Sequence, residues 1–229
     1  MRHISSRTVL LVLGLLTAFG PLRASPAPAR ARVERLDLRA LARASERAGL
    51  RPEVLRLALG ARDRVAARGV ATRPVLTVID YSLPSRVRRL WVLDLARGRV
   101  LAHELVAHGR GTGDDRAVRF SNRPGSLQSS LGAFVTGATY RGKHGLSLRL
   151  RGLDAGVNDR AEARAIVVHG APYVSEAAIA TLGRLGRSQG CPALSPAAAA
   201  RVIGLIRDGT VLFAYHPQRS APSREATGT

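Results

Sequence analysis

Cysteine is nearly absent from the 229-residue chain: Cys191 is the only one. No disulfide can form within the chain, and no Cys/His spacing of a zinc finger occurs. Aromatic residues make up only 4% of the sequence, which leaves few platforms on which single-stranded bases could stack. Neither a Gly-rich phosphate loop nor a basic heptad region is present, so specific nucleic-acid recognition is not expected. Lysine is also reduced to one residue, Lys143, and the formal charge of +20 is carried almost wholly by arginine. Such a balance fits a solvated basic surface or attraction to an anionic polymer such as wall glycan, a membrane surface or nucleic acid. Long apolar runs are missing apart from residues 9–19, and that run is too short to span a bilayer.

That run belongs to a targeting pattern. Arg2, His3 and Arg7 precede it, Gly20-Pro21 breaks it, and Ala24 offers a small residue for cleavage. Residues 1–24 are therefore expected to be a cleaved signal peptide, with no stable membrane span afterwards and no cysteine nearby for a lipid anchor. Export makes a single unpaired cysteine unusual, because oxidising compartments favour paired thiols.

A Pro- and Arg-rich linker is expected at 25–32, a helical segment at 33–70, a catalytic domain at 71–217 and a flexible tail at 218–229. Pro52 suits the first turn of a helix that Gly69 stops. From residue 75 the apolar period shortens to about two, or to continuous runs. Strands are expected near 75–81, 90–95, 99–107, 132–140, 146–150, 165–169 and 210–215. Ser175 and Ser195-Pro196 read as helix starts. The fold class is mainly β, a sandwich or barrel with peripheral helices. Asp80 and Asp94 lie in strands without a second carboxylate at ligand spacing, so no metal site is expected. The Gly/Ser/Asn-rich stretch 108–130 reads as a wall or lid of a substrate groove.

Two motifs carry chemistry. Ile166-Val167-Val168-His169-Gly170 delivers a histidine to the end of a strand, and Arg187-Ser188-Gln189-Gly190-Cys191-Pro192 places the thiol in a tight turn. A thiol becomes a good nucleophile as thiolate, and an imidazole is the usual base. The N–H groups of Gly190 and Cys191 are candidates to face an oxyanion. From these residues alone the chain is a cysteine acyltransferase or peptidase.

These motifs, with Phe120-Ser121-Asn122-Arg123-Pro124-Gly125-Ser126, Gly142-Lys143-His144-Gly145 and Ser147-Leu148-Arg149-Leu150, resemble the murein L,D-transpeptidase catalytic-domain family, in its Ser-x-Gly-Cys-Pro-Ala branch. The better-known pattern has histidine two residues before the cysteine, where this chain has Gln189. The resemblance implies an exported, L,D-transpeptidase-like β fold acting in the periplasm or cell-wall space without metal or cofactor. It implies that Cys191 attacks a peptidoglycan stem peptide, with His169 as base. Gly190, Ser188 and His144 would support the oxyanion or the pocket, and Arg187, Gln189, Asn122 and Ser126 would contact substrate. The acceptor may be read as an amine, giving a 3-3 crosslink, or as water. A non-catalytic, basic peptidoglycan-binding protein is the other reading. A backbone carbonyl or Asp159 would orient His169.

Overall fold

A computed structural model describes residues 37–70 and 73–219, all within the compact unit Arg35–Thr229. The expected leader, the linker, residues 33–36 and the tail beyond 219 lie outside the described residues. Two helices come first, α1 (Leu38–Arg47) and α2 (Pro52–Ala67). Asp37 accepts from Ala40 N–H at 2.8 Å to cap α1, and Pro52 opens α2 where its missing N–H costs nothing.

Six strands follow: β1 (Val75–Asp80), β2 (Leu90–Asp94), β3 (Arg99–Glu104), β4 (Gly132–Gly142), β5 (Gly145–Gly152) and β6 (Val167–Gly170). Then come α3 (Glu176–Leu182), β7 (Ala193–Leu194), α4 (Pro196–Ile206) and β8 (Val211–Tyr215). The strands form one eight-stranded sheet in the order β3-β2-β1-β8-β4-β5-β6-β7. Pairing is antiparallel except for β1 with β8 and β6 with β7. Beyond β3, Ala107 pairs with Ala193 of β7, which brings the two edges of the sheet together. Ala107 N–H donates to Ala193 O at 2.8 Å and Ala193 N–H returns the bond at 3.3 Å. The protein is thus mainly β, with a sheet that almost closes on itself.

Alternation along the strands sorts the core onto two faces. Ile79, Leu90, Val92, Leu212 and Ala214 face α4, which contributes Ala198, Val202, Ile203 and Ile206. Leu76, Val78, Trp91, Leu93, Val211 and Phe213 pack with Leu41, Val54, Leu55 and Ala58 of the first two helices and with Leu50 between them. With both faces covered, β1, β2 and β8 are buried at every position, which is why they read as continuous apolar runs. Trp91 also fastens the helical pair to the sheet by donating from Nε1 to Ala48 O at 2.7 Å.

The strand acids are used by arginines. Asp80 pairs with Arg51 at 2.8 Å, and Asp94 with Arg99 at 3.2 Å. Among the described residues no cluster of three His, Cys, Asp or Glu side chains has the arrangement of a metal site.

A buried arginine makes no such pair among the described residues. Arg89 is fully buried, donates to Val106 O and Leu83 O, and lies 5.2 Å from the Tyr81 ring centroid. Its Nη2 also donates to His108 Nδ1 at 2.7 Å. A guanidinium cannot accept, so Nδ1 is the bare nitrogen and Nε2 donates to Gly113 O at 3.3 Å. Burial first, and then the adjacent cation of Arg89, push the His108 pKa down to about 4. The unfolded imidazole, near 6.5, binds a proton that the folded one refuses, so stability is complete above 6.5 and falls as pH drops towards 4. The linked loss is on the order of 3 kcal/mol. Urea titrations at pH 7 and pH 4.5 should show a drop in midpoint that is distinctly smaller in His108→Asn; an equal drop in both proteins would remove His108 from the acid response.

Candidate active site

β6 and β7 bring the two motifs together. His169 pairs with Ala193 in parallel register, and Cys191 precedes Ala193 by two residues. The cysteine turn is stitched by Ser188, whose Oγ donates to Cys191 O at 2.6 Å and accepts from Gly190 N–H at 3.0 Å. Ser188 is also fixed through its backbone, since its N–H donates to His108 O and its carbonyl accepts from Arg110 N–H. Glycine is required where the 108–113 segment crosses this turn. A Cβ on Gly109 would lie 2.3 Å from Leu127 O and 2.8 Å from Gly190 Cα. Ser129 completes the crossing: Oγ donates to Gly190 O and accepts from Gly109 N–H, each at 3.0 Å.

The thiol rests against the start of β6. Val167 N–H donates to Sγ at 3.5 Å, and Sγ–H donates to Ala165 O at 3.7 Å. Burial pushes the Cys191 pKa up, opposed by the Val167 N–H and then by the charges of Arg164 and Lys143. His169 is buried, and its Nδ1 lies 2.9 Å from Gly170 O. A carbonyl only accepts, so Nδ1 carries the proton and the lone pair sits on Nε2. Burial lowers the His169 pKa, opposed by its hydrogen bond to Gly170 O and helped by the neighbouring His144 and Lys143 side chains. At neutral pH the resting pair is therefore an uncharged thiol and an uncharged imidazole. No hydrogen bond joins them in this state, as is common in a cysteine–histidine site before substrate arrives.

The tight β4–β5 hairpin places Lys143 and His144 between Gly142 and Gly145, which face each other in register. His144 stacks on His169 with ring centroids 4.3 Å apart. Cys191, His169, His144, Lys143, Ser188, Gln189 and Arg187 all line one cleft of about 600 Å³. Arg110, Arg164, Leu127, Tyr140 and Tyr173 complete much of its wall, and among the described residues no carboxylate lines it.

The remaining candidate residues have other employment. Asn122 ties two loops together outside the lining of the cysteine cleft: its Nδ2 donates to Asp159 Oδ1 at 2.6 Å and its Oδ1 accepts from Arg160 N–H. Asp159, occupied there and by Gly156 N–H, does not orient His169; the backbone carbonyl of Gly170 does. Ser126 is not on the cleft wall either, and its Oγ lies 3.3 Å from Arg164 Nη2. Arg187 lines the cleft but is paired with Asp114 at 2.7 Å. The Gly190 N–H is taken by Ser188, whereas among the described residues the N–H groups of Gln189 and Cys191 meet no acceptor.

Two features escaped the sequence reading. Arg164 is one arginine among many, and its place in the cleft depends on contacts with residues more than thirty positions upstream. Ser129 sits within a Ser-rich stretch whose members differ only in what they touch. For neither is there a signal in local spacing.

A family model of the L,D-transpeptidase catalytic domain matches residues 46–215. Among solved structures, an L,D-transpeptidase from Mycobacterium smegmatis is 18% identical, with 62% of this chain and 59% of that chain covered and a TM-score of 0.39. An L,D-transpeptidase from Xylanimonas cellulosilytica is 17% identical over 67% of this chain and 68% of that one, TM-score 0.36. The helical cell shape determining protein Pgp2 from Campylobacter jejuni is 12% identical over 68% and 56%, TM-score 0.42. The chain thus spans about three fifths of the length of the mycobacterial protein. A comparison with curated proteins found no match. Among the described residues no helix is long and apolar enough to cross a membrane. With most of its length matched by the family model, this chain belongs to the L,D-transpeptidase catalytic-domain family.

Proposed function

We propose that the protein is an exported cysteine L,D-transpeptidase of the cell wall. Cys191 attacks the carbonyl at the third residue of a peptidoglycan tetrapeptide stem, displacing D-alanine. The observation that supports this most is a cleft holding both Cys191 and His169, lined by Arg110, Lys143 and Arg164 and by no carboxylate. Among the described residues none of these three cations has a carboxylate partner, which suits a stem peptide carrying several carboxylates.

His169 Nε2 takes the Sγ proton as sulfur bonds to the carbonyl carbon, and the negative charge collects on oxygen. The Cys191 N–H, which meets no acceptor among the described residues, is the donor assigned to that charge. When the tetrahedral intermediate collapses, the C–N bond breaks and Nε2–H protonates the departing D-alanine amine. In the second half His169 removes a proton from the acceptor amine, which attacks the thioester and regenerates the thiol. Water as acceptor would give the carboxypeptidase outcome through the same steps.

Chromatography of the products from a disaccharide-tetrapeptide separates the outcomes. A 3-3 crosslinked dimer with released D-alanine is expected. Tripeptide alone would assign the protein to the carboxypeptidase reaction, and unchanged substrate would contradict an enzymatic role on these stems.

A further inference from the structure

Arg164 enters the cleft from a strained position in the chain. Ala165, the next residue, holds φ at 54°, in the left-handed region that costs a non-glycine residue about 1 kcal/mol. Strain kept in a cleft beside reactive groups has to be maintained by surrounding contacts. Here those contacts lie on both sides of the bend. Ala165 O receives the Cys191 Sγ–H, while the Arg164 guanidinium bonds to the facing loop. Nη1 donates to Ser121 O at 2.7 Å and to Ser130 Oγ at 2.6 Å. Nη2 donates to Gln128 O at 2.6 Å and to Ser126 Oγ at 3.3 Å.

All four acceptors are uncharged, so the hydrogen bonds fix the guanidinium without neutralising it. A different balance holds at Arg187, whose charge is met by Asp114. Arg164 also adjoins the cysteine turn: its Nη2 would stand 3.4 Å from a Cβ on Gly190, the residue before the nucleophile. Arg110 and Lys143 are exposed on the rim, where water and salt screen them, whereas Arg164 is half-buried and screened less.

We infer that Arg164 is a positioning residue for Cys191, locking the 121–130 wall of the cleft and facing the cysteine turn as the counter-charge of the thiolate. The inference rests on the reading of Cys191 as the nucleophile. It explains why an arginine with four neutral acceptors is held beside a group that must become an anion. A loop staple alone would work as well with its charge removed.

Alkylation of Cys191 by iodoacetamide, followed by intact mass across a pH series, reads the thiolate without any wall substrate. The result is therefore separable from whether the protein acts on stem peptides. Arg164→Gln should displace the alkylation profile to higher pH and slow the reaction at pH 7 roughly tenfold. Arg164→Lys keeps the charge but not the fork, so it should retain the wild-type profile while limited proteolysis cuts the 121–130 loop faster. An unchanged profile in Arg164→Gln overturns the electrostatic role. If that variant does not fold, the lysine variant decides: a wild-type profile with a loosened loop supports the inference, and a profile displaced to higher pH overturns it.

Discussion

Cys191→Ser should lose turnover on tetrapeptide stems by at least about a thousandfold while its melting temperature stays within a few degrees of wild type. The two halves of this expectation have separate causes. Among the described residues Sγ makes two long hydrogen bonds, 3.5 Å from Val167 N and 3.7 Å to Ala165 O, and a hydroxyl can satisfy both groups. The turn itself is held by Ser188, Ser129 and Gly109, none of which uses the thiol. Chemistry has no such reserve. The His169 imidazole has a lowered proton affinity and can draw a proton from a thiol far more readily than from an alcohol. Product chromatography and a thermal melt on the same preparation check both halves. Turnover within tenfold of wild type would show that the thiol is not the nucleophile.

Gly109→Ala is expected to be among the most damaging single-methyl additions in the protein. The added Cβ would lie 2.3 Å from Leu127 O and 2.9 Å from Gly190 N, and both atoms are backbone. No side chain can rotate away, so either the 121–130 wall or the cysteine turn must move. The cost is roughly 3 kcal/mol or more in stability, with Cys191 displaced as well. Gly125→Ala is the control. Gly125 has φ of 72° but open space around the added atom, so only about 1 kcal/mol of backbone strain is expected. Urea unfolding of both variants tests the difference. A Gly109→Ala midpoint close to that of Gly125→Ala would mean the crossing is looser than these distances require.

Local pattern carried much of the architecture. Continuous apolar runs at β1 and β8 mark strands covered on both faces, and Ser175, Ser195 and Pro196 mark helix starts that the backbone uses. The pairing that closes the sheet was not legible. β7 is two residues long, too short for any period, and its partner Ala107 lies more than eighty positions upstream. The site divides the same way. Cys191 and His169 stand out because glycine marks the end of one strand and the start of one turn. Asn122 reads as a groove residue because it sits in a Gly/Ser-rich loop, and local spacing gave no sign that its amide joins that loop to the 156–160 segment. Arg164 could not be singled out because its function is a relation: four acceptors on one side and the cysteine turn on the other. Composition and spacing report residue types, and a guanidinium's job depends on which charges surround it.

The central claim is that Cys191 forms a thioester with a peptidoglycan stem. Intact-mass spectrometry of the protein incubated with a tetrapeptide stem tests this directly. The account requires a mass gain equal to the stem minus D-alanine, located on the peptide containing Cys191 and absent from Cys191→Ser. Release of D-alanine with no adduct on wild type under rapid acid quench, or the same adduct on Cys191→Ser, would contradict it.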